Sequence, residues 1–150
     1  MIFKSKTMVL ISFFIFVFSH AKIITKSVEY KSDNKTMEGY LAYDDSSSAK
    51  RPGILVVHEW TGLGPYVKHR TEELANLGYV AFAADIYGKG IRPSPAEAGK
   101  TAGLYKNNRG LLRTRAFAGL NELKKQKFVD SAKIAAIGYC FGGTTVLELA

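Results

Sequence analysis

The sequence has 150 residues, of which 47% are hydrophobic and 23% charged, and a formal net charge of +8. A chain of this length builds one core rather than two. Its hydrophobicity excludes intrinsic disorder, and a lone cysteine, Cys140, excludes an internal disulfide framework.

Residues 1–21 have the layout of a secretory signal peptide. Lys4 and Lys6 precede the apolar run Met8–Phe18, and the small residues Ser19 and Ala21 precede Lys22. The run is shorter than the roughly 20 residues that span a bilayer. Export to the periplasm or medium is expected, with no stable membrane anchor after cleavage. Residues 22–150 are then read as part of one domain.

Ile23–Tyr30 and Met37–Tyr43 are β-leaning runs around Asp33-Asn34, which suggests an edge hairpin. Asp44–Gly53 reads as a polar connection. Ile54–Val57 is continuously apolar, as in a parallel strand covered on both faces. Pro65–Leu77 has helical spacing, with Val67, Leu74 and Leu77 inward and Gly78 as a left-handed cap. Tyr79–Ala84 is a second buried strand ending at Asp85, and Tyr87–Pro95 an open loop. Glu97–Leu123 reads as two helical pieces divided near Asn107, Asn108 and Gly110, with Leu104, Leu111, Leu112, Phe117, Leu120 and Leu123 packing inward. Ile134–Tyr139 is a third buried strand, and Thr144–Ala150 opens a helix. The alternation predicts an α/β fold with ligands gathered beyond the strand carboxyl ends. His58, Glu59, Asp85 and Cys140 all fall there and predict a cleft.

Gly138-Tyr139-Cys140-Phe141-Gly142, between a strand and a helix, has the pattern of a nucleophile elbow. Strand and helix pass closely at such a turn, so Gly138 and Gly142 must be small, and Gly143 permits closer approach. Cys140 would project over the cleft near the amino-terminal end of the next helix, and the Phe141 amide would face a developing oxyanion. The alternative is an inert buried cysteine. His58-Glu59-Trp60 leaves the first buried strand, where the Trp60 amide would be the second oxyanion donor. Glu59 is placed to control the thiol proton, the alternative being a surface salt bridge. Trp60 would wall a planar or apolar substrate, or simply pack.

Neither a G-x-G-x-x-G at the first strand nor a G-K-[ST] at the elbow is present, which argues against a nucleotide. An H-E-x-x-H zinc site would need histidine where Gly62 stands, so no metal is expected. Lys106, Arg109, Arg113, Arg115, Lys124, Lys125 and Lys127 cluster with only Glu122 opposing them. A solvated helix face explains them better than nucleic acid or an anionic membrane, because no recognition helix or stacking platform accompanies them.

HEWTGL, GYVAFAADIYGKG and IAAIGYCFGG, in that order, resemble the dienelactone hydrolase family from about Lys35 to the last residue. The resemblance implies an α/β-hydrolase fold, a three-layer sandwich on a mostly parallel sheet. It also implies hydrolysis of small-molecule esters or lactones by a Cys-Asp-His triad without cofactor. Its nucleophile falls on Cys140, the glutamate that holds the resting thiol on Glu59, and the oxyanion amides on Trp60 and Phe141. Substrate-binding groups fall on the loop after the Asp-x-Tyr: Tyr87, Lys89 in place of the family's arginine, and Arg92 nearby. Lysine is a point charge and not a two-pronged fork, and export fits poorly with an intracellular intermediate, so the particular ester or lactone is open.

In this fold the triad acid and histidine follow the nucleophile. No Asp or His follows Cys140 up to Ala150, so the sequence is expected to be the front of a longer protein, truncated after the elbow. His58 is the substitute base if nothing follows. A second functional class is a catalytically inactive relative acting as a binding module. Oligomeric state is open.

Overall fold

The computed structural model describes residues 22–150. The expected signal peptide, residues 1–21, lies outside the described residues.

Strand β1 (Ile23–Ser32) turns at Asp33 and Asn34 into β2 (Lys35–Asp44), its antiparallel partner throughout. Asp33 sits at φ +50°, a conformation that aspartate enters more readily than most residues. Strand β3 (Arg51–Val57) begins inside the stretch expected to be a polar connection. The Arg51 amide donates to the Phe128 carbonyl and its guanidinium to that of Asp44, each at 2.8 Å. These bonds recruit Arg51–Gly53 into the sheet.

Pro65, preset for a helical first turn, starts α1 (Pro65–Asn76). Gly78 follows at φ +91° and donates to the Ala75 carbonyl at 3.0 Å. Leu77 caps the helix and is exposed, instead of packing inward as its spacing suggested. Strand β4 (Val80–Ala84) is buried throughout. Next come α2 (Pro95–Lys106) and α3 (Arg109–Lys125), divided at Asn107 and Asn108. The Asn108 side chain accepts from the Leu111 amide at 3.0 Å and caps α3. The chain ends in β5 (Val129–Gly138) and α4 (Phe141–Leu147).

The five strands lie in the order β1-β2-β4-β3-β5. The β1-β2 and β2-β4 pairings are antiparallel, while β4, β3 and β5 run parallel. Only β1 of the hairpin is therefore an edge. Side chains alternate across a strand. Ile54 and Val56 consequently pack under Val67 and Leu74 of α1, while Leu55 and Val57 face Leu112, Ala116 and Leu123 of α3 and Phe141 of α4. Helices on both faces make this the expected three-layer α/β sandwich.

Three further sequence expectations are corrected. Strand β5 starts at Val129 and is largely half-exposed or exposed, with Ser131, Ala132, Lys133 and Ala135 open to solvent. Among the described residues it is an edge strand, as β1 is, and pairs with β3 alone. Leu104 is 63% and Phe117 40% exposed. The buried stripe of α3 runs instead through Leu112, Arg115, Ala116, Gly119 and Leu123. A Cβ on Gly119 would stand 2.5 Å from that of Ala84, so the absence of a side chain there sets how closely the helix lies on the sheet. Tyr87 and Gly88 are buried, which confines the open part of the 87–95 loop to the residues after them.

Candidate active site

Cys140 stands exposed between β5 and α4 at φ +55°, ψ −115°. A residue with a Cβ rarely adopts a positive φ of this kind, and such strain gathers at functional turns. The neighbouring glycines explain how the turn closes. A Cβ on Gly138 would lie 2.4 Å from the Gly142 carbonyl carbon and oxygen, and one on Gly142 would lie 2.3 Å from the Val57 oxygen. Gly143 is less tightly confined, its nearest contact being the Gly138 oxygen at 3.3 Å. Phe141 opens α4, so its amide precedes any intrahelical acceptor. Its ring is fully buried against His58, Tyr87 and Tyr105.

His58 directly follows β3, is buried in the core and does not line a cleft. Its Nε2 accepts from the Ile86 amide at 3.2 Å, and its Nδ1 lies 2.6 Å from the Glu59 carbonyl oxygen. An amide can only donate, so Nε2 is the acceptor and the ring proton sits on Nδ1. Burial pulls the imidazole pKa down to about 4 and keeps the ring neutral. With both nitrogens committed, His58 cannot take the proton of Cys140, which corrects its expected role as substitute base. The other described histidine, His69, lies on the exposed face of α1, 3.5 Å from Glu73.

Asp85 is likewise fully buried. Its carboxylate accepts from the amides of Glu38, Tyr87 and Gly88 at 3.0–3.2 Å, and it organises the turn after β4. Of the four groups expected to line a cleft, only Glu59 and Cys140 reach solvent. Glu59 is half-buried and lines a small cavity of about 80 Å³ with Thr61, Pro65 and Tyr66. Trp60 is 43% exposed, its ring edge over Gly99 of α2, so it is not simply a core side chain.

The substrate-binding expectations need more revision. Tyr87 is buried, and its hydroxyl donates to the Trp60 carbonyl at 2.9 Å. It braces the wall of the site instead of reaching into it. The Lys89 ammonium pairs with Glu29 on β1, the sheet edge opposite β5. Arg92 donates through Nε to the Leu63 carbonyl at 2.6 Å and through Nη1 to its own neighbour Ile91 at 2.7 Å, with Asp85 3.8 Å away. These bonds tie the 87–95 loop to the segment after Trp60.

The basic cluster also has partners that the local sequence did not reveal. Arg109 and Arg113 both hold the buried carboxylate of Glu148, at 2.6 and 2.9 Å, and so pin α4 to α3. Arg115 is buried and donates to the Ser32 carbonyl at 2.7 Å. Sequence reasoning missed Glu148, Tyr105 and the bracing role of Tyr87. The only signal for Glu148 was an acid on the helix after the elbow.

This strand-turn-helix geometry in a three-layer α/β arrangement has known counterparts. The model of the dienelactone hydrolase family matches residues 37–150. The chain belongs to the dienelactone hydrolase family. Among relatives, Protein usf of Aquifex pyrophilus is 30% identical over 127 residues, covering 82% of this chain and 54% of that protein. A carboxymethylenebutenolidase of a Pseudomonas species is 31% identical over 108 residues, covering 66% of this chain and 44% of its own length. The solved structure of a dienelactone hydrolase-like promiscuous phosphotriesterase from metagenomic libraries is 39% identical with a TM-score of 0.83, covering 85% of this chain and 54% of that one. The chain thus spans about half the length of these family relatives.

Proposed function

We propose that the whole protein hydrolyses ester or lactone bonds, with Cys140 as the nucleophile. The carrying observation is the exposed cysteine at φ +55° on a turn where Gly138 and Gly142 leave no room for a side chain. That geometry supports a reactive thiol better than an inert core cysteine. Sγ attacks the carbonyl carbon, the C–S bond forms, and the carbonyl π electrons move to oxygen. The amides of Trp60 and Phe141 donate to that oxyanion. Collapse breaks the C–O bond, the leaving oxygen takes the proton that Glu59 accepted from the thiol, and water hydrolyses the resulting thioester to the acid and free thiol. Glu59 holds the resting S–H and accepts its proton, since a carboxylate does not favour a thiolate by Coulomb attraction.

Lys89 and Arg92 are engaged by acceptors of the protein itself. This supports an uncharged ester or lactone as substrate over one carrying a carboxylate. Residues 1–21 direct export, so amino-terminal sequencing of protein from the producing cell should begin at Lys22. A mature product starting at Met1 would overturn that part.

The chemistry is tested by the intact mass of the full protein mixed with a slow p-nitrophenyl ester, followed by peptide mapping. An acyl group on Cys140 that decays at the turnover rate is expected, and Cys140→Ala should lose at least about a thousandfold in turnover. Full activity in Cys140→Ala would overturn the proposal.

A further inference from the structure

We propose that His58 is the positioning residue of the oxyanion site, locking the Glu59–Trp60 peptide whose N–H is one donor and bracing Phe141, whose N–H is the other. The inference rests on the reading of Cys140 and these two amides given above.

A trans peptide is a rigid plane in which carbonyl and N–H point in opposite directions. The Glu59 carbonyl and the Trp60 N–H belong to one such plane, so fixing the first aims the second. The His58 Nδ1–H fixes it at 2.6 Å, with the Gly62 amide as a second donor to the same oxygen at 3.2 Å. The imidazole cannot swing, because the Ile86 amide holds Nε2 at 3.2 Å. The same ring stacks on Phe141, with centroids 5.6 Å apart and planes 13° from parallel, and meets the edge of Tyr87 at 4.7 Å. Tyr87 in turn holds the next carbonyl, that of Trp60. One buried, uncharged side chain thereby references both donors to each other across two chain segments. Donors aimed before the reaction stabilise a developing charge without reorganising, and a neutral imidazole supplies this aim without placing a buried cation beside the site.

The test uses the full protein. Asparagine at 58 offers an N–H near the Nδ1 position. Glutamine reaches the Nε2 position, accepts from Ile86 and leaves the Glu59 carbonyl with the Gly62 amide alone, without the side-chain donor. With p-nitrophenyl acetate, His58→Gln should lower the acylation rate constant at least about thirtyfold with KM within about threefold, and His58→Asn should recover to within about tenfold of wild type. Equal losses in both variants, tracking a fallen Tm, would make His58 merely structural and overturn the proposal. Should neither variant fold, nitrogen-15 NMR of the wild-type imidazole decides. A proton on Nδ1, shifted downfield by its hydrogen bond, supports the lock, and a proton on Nε2 overturns it. Wild-type turnover in Cys140→Ala would instead remove the nucleophile reading, an outcome separate from both.

Discussion

The Cβ that Gly142 lacks would stand 2.3 Å from the Val57 carbonyl oxygen and 2.8 Å from that of His58. Helix α4 and strand β3 therefore touch backbone to backbone beneath Cys140. Both neighbouring atoms are main-chain oxygens, so no flexible side chain can yield.

Gly142→Ala should consequently destabilise the protein by about 3 kcal/mol or more. Gly103→Ala is the control, in α2 with nothing within 4 Å of its Cβ position. It should be neutral or stabilising by up to about 1 kcal/mol, because alanine is the better helix former. Urea unfolding of both variants checks this. A Gly142→Ala protein that unfolds with wild type would mean that the elbow is looser than its geometry states.

Cys140 itself carries strain, at φ +55° and ψ −115°. Such a conformation costs a residue with a Cβ about 1–3 kcal/mol, against the smaller entropic penalty of glycine. Cys140→Gly should therefore be more stable than Cys140→Ala by about 1 kcal/mol, while both lose turnover. Comparison of the two denaturation midpoints reads the strain directly, because neither variant has a sulfur. The reverse order would show that the turn stores none.

Glu59→Gln should lower kcat/KM on small activated esters and leave Tm near wild type. The side chain is half-buried on a small cavity, so the isosteric amide fits the same space without accepting a proton. Unchanged turnover would remove Glu59 from the mechanism.

The Arg109 hydrogen bond, and after it Arg113, holds the Glu148 carboxyl below the usual glutamate range, against an opposing effect of burial. A depressed folded-state pKa contributes stability above the unfolded value and loses it as pH falls through the folded value. Tm should therefore drop below the ordinary glutamate range of about pH 4.3, and Glu148→Gln should be less stable at neutral pH with a flatter acid limb. Differential scanning calorimetry across that interval checks it, and an acid limb identical in the variant would assign the loss to other carboxylates.

Some of this architecture was legible in the residues because it is decided locally. The Asp33-Asn34 hairpin, the Pro65 start and Gly78 stop of α1, the break at Asn107–Asn108 and the glycine pattern around Cys140 each follow from backbone freedom within a few residues. The apolar runs of β3 and β4 fixed buried strands for the same reason. Tertiary structure alone decided where the polar side chains ended. Histidine and aspartate at a strand end look alike as candidate catalysts in sequence, yet His58 is sealed by an amide 28 residues away and Asp85 binds an amide 47 residues before it. Lys89 reaches Glu29 across 60 residues, and Arg109 reaches Glu148 across 39. Strand β5 lies at an edge of the sheet among the described residues, a place that its apolar composition does not announce. A local pattern specifies which backbone shapes are cheap. A buried polar group takes whichever partner the packed chain brings within 3 Å or so, and that partner has no fixed separation in sequence.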